Sequence, residues 1–130
     1  MINGLVNAKL EACIRLSIKG AHEIETVIDT GYDGYLTLPP ATVALLNLQH
    51  FGRDRVALGD GSLQIFELYL ASVVWDGQVR TVVVDAAETA PLAGTALLSD
   101  YDFSARFVPG GPVTLTRVPV EESVGEASLP

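Results

Sequence analysis

Val27-Ile28-Asp29-Thr30-Gly31-Tyr32-Asp33-Gly34-Tyr35-Leu36 is the stretch on which the fold turns. An apolar run delivers a carboxylate into Asp-Thr-Gly, and small residues and a second apolar segment follow at once. This is the pattern of a strand that ends on an acid. A charged acid buried alone would cost several kcal/mol, so a chain that places Asp29 behind Val27 and Ile28 must supply partners for it.

Before that stretch, Val6, Ala8, Leu10, Ala12, Ile14, Leu16 and Ile18 alternate with Asn7, Lys9, Glu11, Arg15, Ser17 and Lys19. Period two over thirteen residues predicts one long, bent strand with a single buried face, and it puts Cys13 on the outward parity. Lys19-Gly20-Ala21-His22 carries turn chemistry, so Ile24 to Ile28 is expected to return as the hairpin partner that ends at Asp29.

After the acid, Tyr35 to Leu38 predicts a short strand stopped by Pro39-Pro40, and Ala41 to Leu46 a short helix with proline near its start. Asn47 to Arg55 is expected as a polar connection. Gly59 and Gly61 flank Asp60 at the tip of a β-ribbon, whose second strand runs from Gln64 to Trp75. Asp76-Gly77 predicts a tight hairpin, and Gln78 to Val84 the next strand. Ala90-Pro91-Leu92-Ala93-Gly94-Thr95-Ala96-Leu97-Leu98 then repeats the logic of the opening stretch: an apolar pair, a glycine, and a short segment with helical spacing. Tyr101 to Val108 and Val113 to Val118 are expected as two more strands across Pro109-Gly110-Gly111-Pro112.

These elements, in this order, resemble the retropepsin-like aspartic proteases, the retroviral type in which one chain carries half an active site. The resemblance covers roughly Val6 to Leu98, and Asp-Gly-Tyr-Leu-Thr-Leu-Pro after the turn looks most like the bacterial single-domain group. In that family the hydrophobic-hydrophobic-glycine element packs beside the Asp-Thr-Gly turn, and a glycine-tipped flap covers an extended peptide. The resemblance implies an all-β, closed, barrel-like fold with one or two short helices and one lobe per chain. It implies an aspartic endopeptidase working as a homodimer, with Asp29 of each chain catalytic and with neither metal nor organic cofactor. Thr30, Gly31 and Gly94 would support the active-site turn. Tyr32, Asp33, Leu58, Gly59, Asp60, Gly61, Leu63 and Ile65 would form the flap and substrate-binding walls.

Two departures from the family pattern stand out. Tyr32 follows Asp-Thr-Gly where a small residue is usual and a serine hydroxyl can bond the carboxylate. Thr95 stands where retroviral members carry an arginine that pairs with an acid near the turn, the acid that Asp33 matches. A non-catalytic peptide-binding or scaffolding dimer on the same fold is the competing reading, and Tyr32 is the feature that supports it.

Composition bounds the other possibilities. A chain of 130 residues with 48% hydrophobic residues, 12 glycines and 7 prolines suits one sheet-rich domain, here residues 1–118, followed from Pro119 by an acidic tail. No apolar run approaches the roughly 18 residues of a membrane helix, and Met1-Ile2-Asn3-Gly4 does not open a secretory signal, so a soluble cytoplasmic protein without a membrane partner is expected. The single cysteine excludes an internal disulfide and a multi-cysteine zinc site. Net charge is −8 with the basic residues scattered, which argues against a nucleic-acid partner. Asp29 to Gly34 fails as a calcium loop, since the third position is Gly31 and the twelfth is Pro40. Cys13, His22 and His50 lack the third group that a nucleophilic site would need.

Overall fold

A computed structural model describes residues 1–57 and 59–119 of the chain. Leu58 and the expected tail from Val120 onward lie outside the described residues. Ten strands and two short helices follow in the order β1 (Ile2–Val6), β2 (Ala12–Ile18), β3 (His22–Ile28), β4 (Leu36–Leu38), α1 (Pro40–Leu45), β5 (Gln49–Ala57), β6 (Leu63–Trp75), β7 (Gln78–Ala86), β8 (Leu92–Ala93), α2 (Thr95–Leu98), β9 (Tyr101–Ala105) and β10 (Pro112–Arg117).

The strand order is β5-β6-β7-β4-β8-β3-β2-β1-β10-β9, and a further pairing of β2 with β6 through Ser17↔Val74 and Ile18↔Val73 closes the ring. Six strands, β2, β6, β7, β4, β8 and β3, make that ring: the fold is the closed, barrel-like, all-β one that the sequence predicts. Its inside is filled by Ile14, Leu16 and Ile18 from β2, Leu36 and Leu38 from β4, Val73 from β6, Val82 and Val84 from β7, Ala93 from β8 and Leu97 from α2. Alternation explains this, since successive side chains of a strand point to opposite faces. The last two strands add sheet to the same body: β10 pairs with β1 and buries Val113 and Leu115. Among the described residues no helix is long and apolar enough to cross a membrane.

The expected single strand from Val6 to Ile18 is two strands. Asn7 Oδ1 accepts the Lys9 and Glu11 N–H groups at 3.0 and 2.9 Å, Leu10 sits at φ 62°, and β2 folds back on β1. Ala8 and Leu10, expected inward, are exposed in the loop. Cys13, expected outward, is buried, and burial first, then Glu25 and Glu11, push its thiol pKa up, the direction of an inert cysteine. The expected polar connection Asn47 to Arg55 is mostly strand, because β5 begins at Gln49. β5 lies in a ribbon exposed on both faces, where apolar alternation is not required.

Candidate active site

Asp29 follows the last residue of β3, and the strand beside it holds the backbone there. β8 lies between β3 and β4, parallel to the first through Val27↔Leu92 and Ile28↔Ala93, and antiparallel to the second through Leu36↔Ala93. The Asp29 N–H donates to the Ala93 carbonyl at 2.9 Å, which continues the ladder one residue past the strand. The chain then turns. Gly31 N–H donates to Asp29 Oδ1 at 2.9 Å, and Tyr32 N–H to the Asp29 carbonyl at 3.2 Å. Asp29 is half-buried, while Thr30 and Gly31 are exposed at the turn's end.

The second apolar-glycine element meets the turn at very short range. Gly94 N–H donates to the Tyr35 carbonyl at 3.0 Å, Thr95 N–H to the Tyr32 carbonyl at 2.8 Å, and Ala96 N–H to the Gly34 carbonyl at 3.2 Å. A β-carbon on Gly94 would collide with the Gly34 carbonyl oxygen and lie 2.7 Å from the Tyr32 carbonyl oxygen. Only glycine fits between two backbones this close. Thr95 adds its hydroxyl to the Tyr32 carbonyl at 3.3 Å.

Tyr32 leans on the barrel wall. Its hydroxyl donates to Asp85 Oδ2 of β7 at 2.6 Å. Burial first, and then that bond, raise the phenol pKa well above the ordinary tyrosine value.

The ribbon of β5 and β6 stands beside this turn. At its tip Gly61 has φ +85°, and the Ser62 N–H and hydroxyl both donate to Asp60 Oδ1, at 2.9 and 2.6 Å, holding the exposed Asp60 carboxyl below its ordinary range. A hollow of about 330 Å³ separates ribbon and turn. Tyr32 and Asp33 line it from the turn, Asp54, Val56 and Phe66 from the ribbon, and Asp85 and Leu92 from the barrel.

Of the residues singled out from the sequence, Asp29, Thr30, Gly31, Tyr32, Asp33 and Gly94 come together at the turn. Gly59, Asp60 and Gly61 form the ribbon tip. Leu63 and Ile65 do not line the hollow and are 65% and 55% exposed. Cross-strand pairs Asp54↔Phe66 and Val56↔Gln64 share one parity, whereas Ile65 pairs with Arg55 and Leu63 with Ala57 on the other. Leu58 lies outside the described residues. Sequence reasoning missed Phe66, Val56 and Asp85; the register of the ribbon would have found the first two, and no local signal marks the third.

Among solved structures, the crystal structure of a retropepsin-like aspartic protease from Rickettsia conorii matches the chain with a TM-score of 0.59 at 16% sequence identity, covering 91% of each chain. The fold is therefore retropepsin-like. No protein-family model matches the sequence, and no curated protein is detectably similar to it.

Proposed function

We propose that the chain is one half of an aspartic endopeptidase, completed when two copies meet about a two-fold axis and each contributes Asp29. One observation carries this reading: in a retropepsin-like barrel, the Asp-Thr-Gly acid sits on a turn hydrogen-bonded to the apolar-glycine element, beside a glycine-tipped ribbon. A two-fold contact sets a residue opposite its own copy, so one acid per chain suffices.

Two carboxylates about 3 Å apart cannot both hold charge, so the pair keeps one proton over a useful pH range. The ionised Asp29 takes a proton from water, which attacks the scissile carbonyl while the partner acid protonates the carbonyl oxygen. The Asp29 that took the water's proton then gives it to the departing amine, and the partner acid recovers its own proton from the gem-diol hydroxyl as the C–N bond breaks. Exposed Thr30 is suited to hydrogen-bonding across the interface, and Gly31 leaves space for substrate backbone. The tip at Gly59, Asp60 and Gly61 closes over the bound peptide and excludes water. Exposed Leu63 and Ile65 offer apolar surface to that peptide or to the partner's ribbon.

The test is cleavage of a diverse peptide mixture between about pH 4 and 7, the window of a dyad that shares one proton. The unmodified chain is expected to cut and to behave as a dimer by mass in solution, and Asp29→Asn is expected to lose all cleavage. Cleavage by a strict monomer, or by Asp29→Asn, overturns the shared-acid mechanism. Peptide binding without cleavage by the unmodified chain assigns it to the non-catalytic class.

A further inference from the structure

Tyr32 uses every polar atom it has. Its N–H donates to the Asp29 carbonyl, its carbonyl accepts both the N–H and the hydroxyl of Thr95, and its hydroxyl reaches Asp85, 53 positions away in sequence. At 2.6 Å this last contact has the length of a charge-assisted bond from a phenol to a carboxylate. The ring fits a space that two glycines leave for it. A β-carbon on Gly34 would overlap the Tyr32 hydroxyl and stand 2.6 Å from Cε1, and one on Gly94 would stand 2.6 Å from Cδ2.

Asp85 is itself well fixed. Its backbone lies in β7 opposite Leu68 of β6 on one side and Thr37 of β4 on the other. The hydroxyl bond therefore connects the turn that carries Asp29 to a wall strand at the root of the ribbon. Thr95 cannot form the ion pair expected of an arginine at its position, and the side-chain hydrogen bonds that brace the turn, from Thr95 and to Asp85, both pass through Tyr32.

We propose that Tyr32 is a positioning residue for Asp29: its hydroxyl bond to Asp85 sets the angle at which the turn presents the acid to the shared water. The inference rests on the peptidase reading. Two acids on separate chains must meet around one water, and a misplacement of about 1 Å in such a site costs on the order of a hundredfold in rate. A phenol that stays neutral throughout the working pH range keeps the brace in place while the dyad titrates. The same geometry gives Tyr32 a role that leaves Asp29 partly exposed.

The experiment compares Tyr32→Phe, Asp85→Leu and Asp85→Asn in the full chain. Tyr32→Phe keeps the ring and loses the bond; Asp85→Asn keeps an acceptor oxygen; Asp85→Leu does not. For Tyr32→Phe we expect kcat to fall about tenfold with KM within about twofold, and the pH–rate bell to narrow as the two acids share their proton less well. Asp85→Leu is expected to narrow the bell alike, and Asp85→Asn to restore most of its width.

Amide exchange at Gly31 and Thr95, whose N–H groups bond Asp29 and Tyr32, provides a readout that needs no cleavage. It should quicken about tenfold in Tyr32→Phe and Asp85→Leu and much less in Asp85→Asn. Unchanged exchange overturns the brace whether or not the chain cuts peptides. Quickened exchange in a chain that cuts nothing keeps the brace and removes the peptidase reading. A variant that melts earlier with the same kcat, bell and exchange shows a bond that serves stability alone, and this too overturns the proposal.

Discussion

Glycines mark both the floor that carries Asp29 and the tip of the ribbon, for opposite reasons. At the floor, Gly34 and Gly94 have no room for a β-carbon; at the tip, Gly59 and Gly61 have nothing within 4 Å of one. The floor is built from elements that cross at backbone distance and bury Leu36, Leu38 and Ala93 completely. The ribbon rests on its own ladder, and β5 is exposed along almost all its length. The turn that carries Asp29 is thereby firmly held and the ribbon loosely, since local stability follows buried contact.

The sharpest way to break that contrast is Gly94→Ala. The new methyl would meet backbone oxygens of Gly34 and Tyr32, which cannot step aside as a side chain can. A loss of about 3 kcal/mol or more is expected in urea unfolding, and a loss under about 1 kcal/mol would show a floor able to yield.

At the tip the expected effects are smaller and conformational. Gly61→Ala places a β-carbon at φ +85° and should cost about 1 kcal/mol. Gly59→Ala, in open space and without a positive φ, should stay within about 0.5 kcal/mol. Equal costs at the two positions would mean that the tip is not held in the turn described.

The smallest effect concerns the root of the ribbon, where Glu67 bonds His50 at 2.8 Å and Arg53 at 2.9 Å. The His50 bond first, and then Arg53, hold the Glu67 carboxyl below its ordinary value. A group with a depressed folded-state pKa adds stability above its unfolded value and loses it as pH falls through the folded one. Any advantage of the unmodified chain over Glu67→Gln in thermal midpoint should therefore shrink below about pH 4 and persist at pH 7. Because the pair is exposed, salt should reduce it too.

Much of this was legible in the sequence, because the floor is made of local signals. A strand that ends on Asp29, prolines that stop β4, and an apolar pair before Gly94 each announce themselves within a few residues. Misread features had no such announcement. The loop from Asn7 to Glu11 holds an odd number of residues, so Val6 and Ala12 share a parity and period two runs straight through a chain reversal. β5 reads as a connection in the sequence because neither of its faces is buried. Apolarity alone picks out Leu63 and Ile65, and only the ribbon register adds Val56 and Phe66, which face the hollow. Tyr32 and Asp85 are too far apart in sequence for any local pattern to pair them.

Closing the ring through β2 and β6 has one more effect. Among the described strands, β5 and β9 lie at the ends of the order, and each pairs along one side only, leaving a row of amides that another chain could extend. Arg53, Asp54 and Arg55 stand on the first and Asp102 on the second, and charges on an open edge resist stacking of strand upon strand. At high concentration those charges oppose growth of a fibre from either end strand.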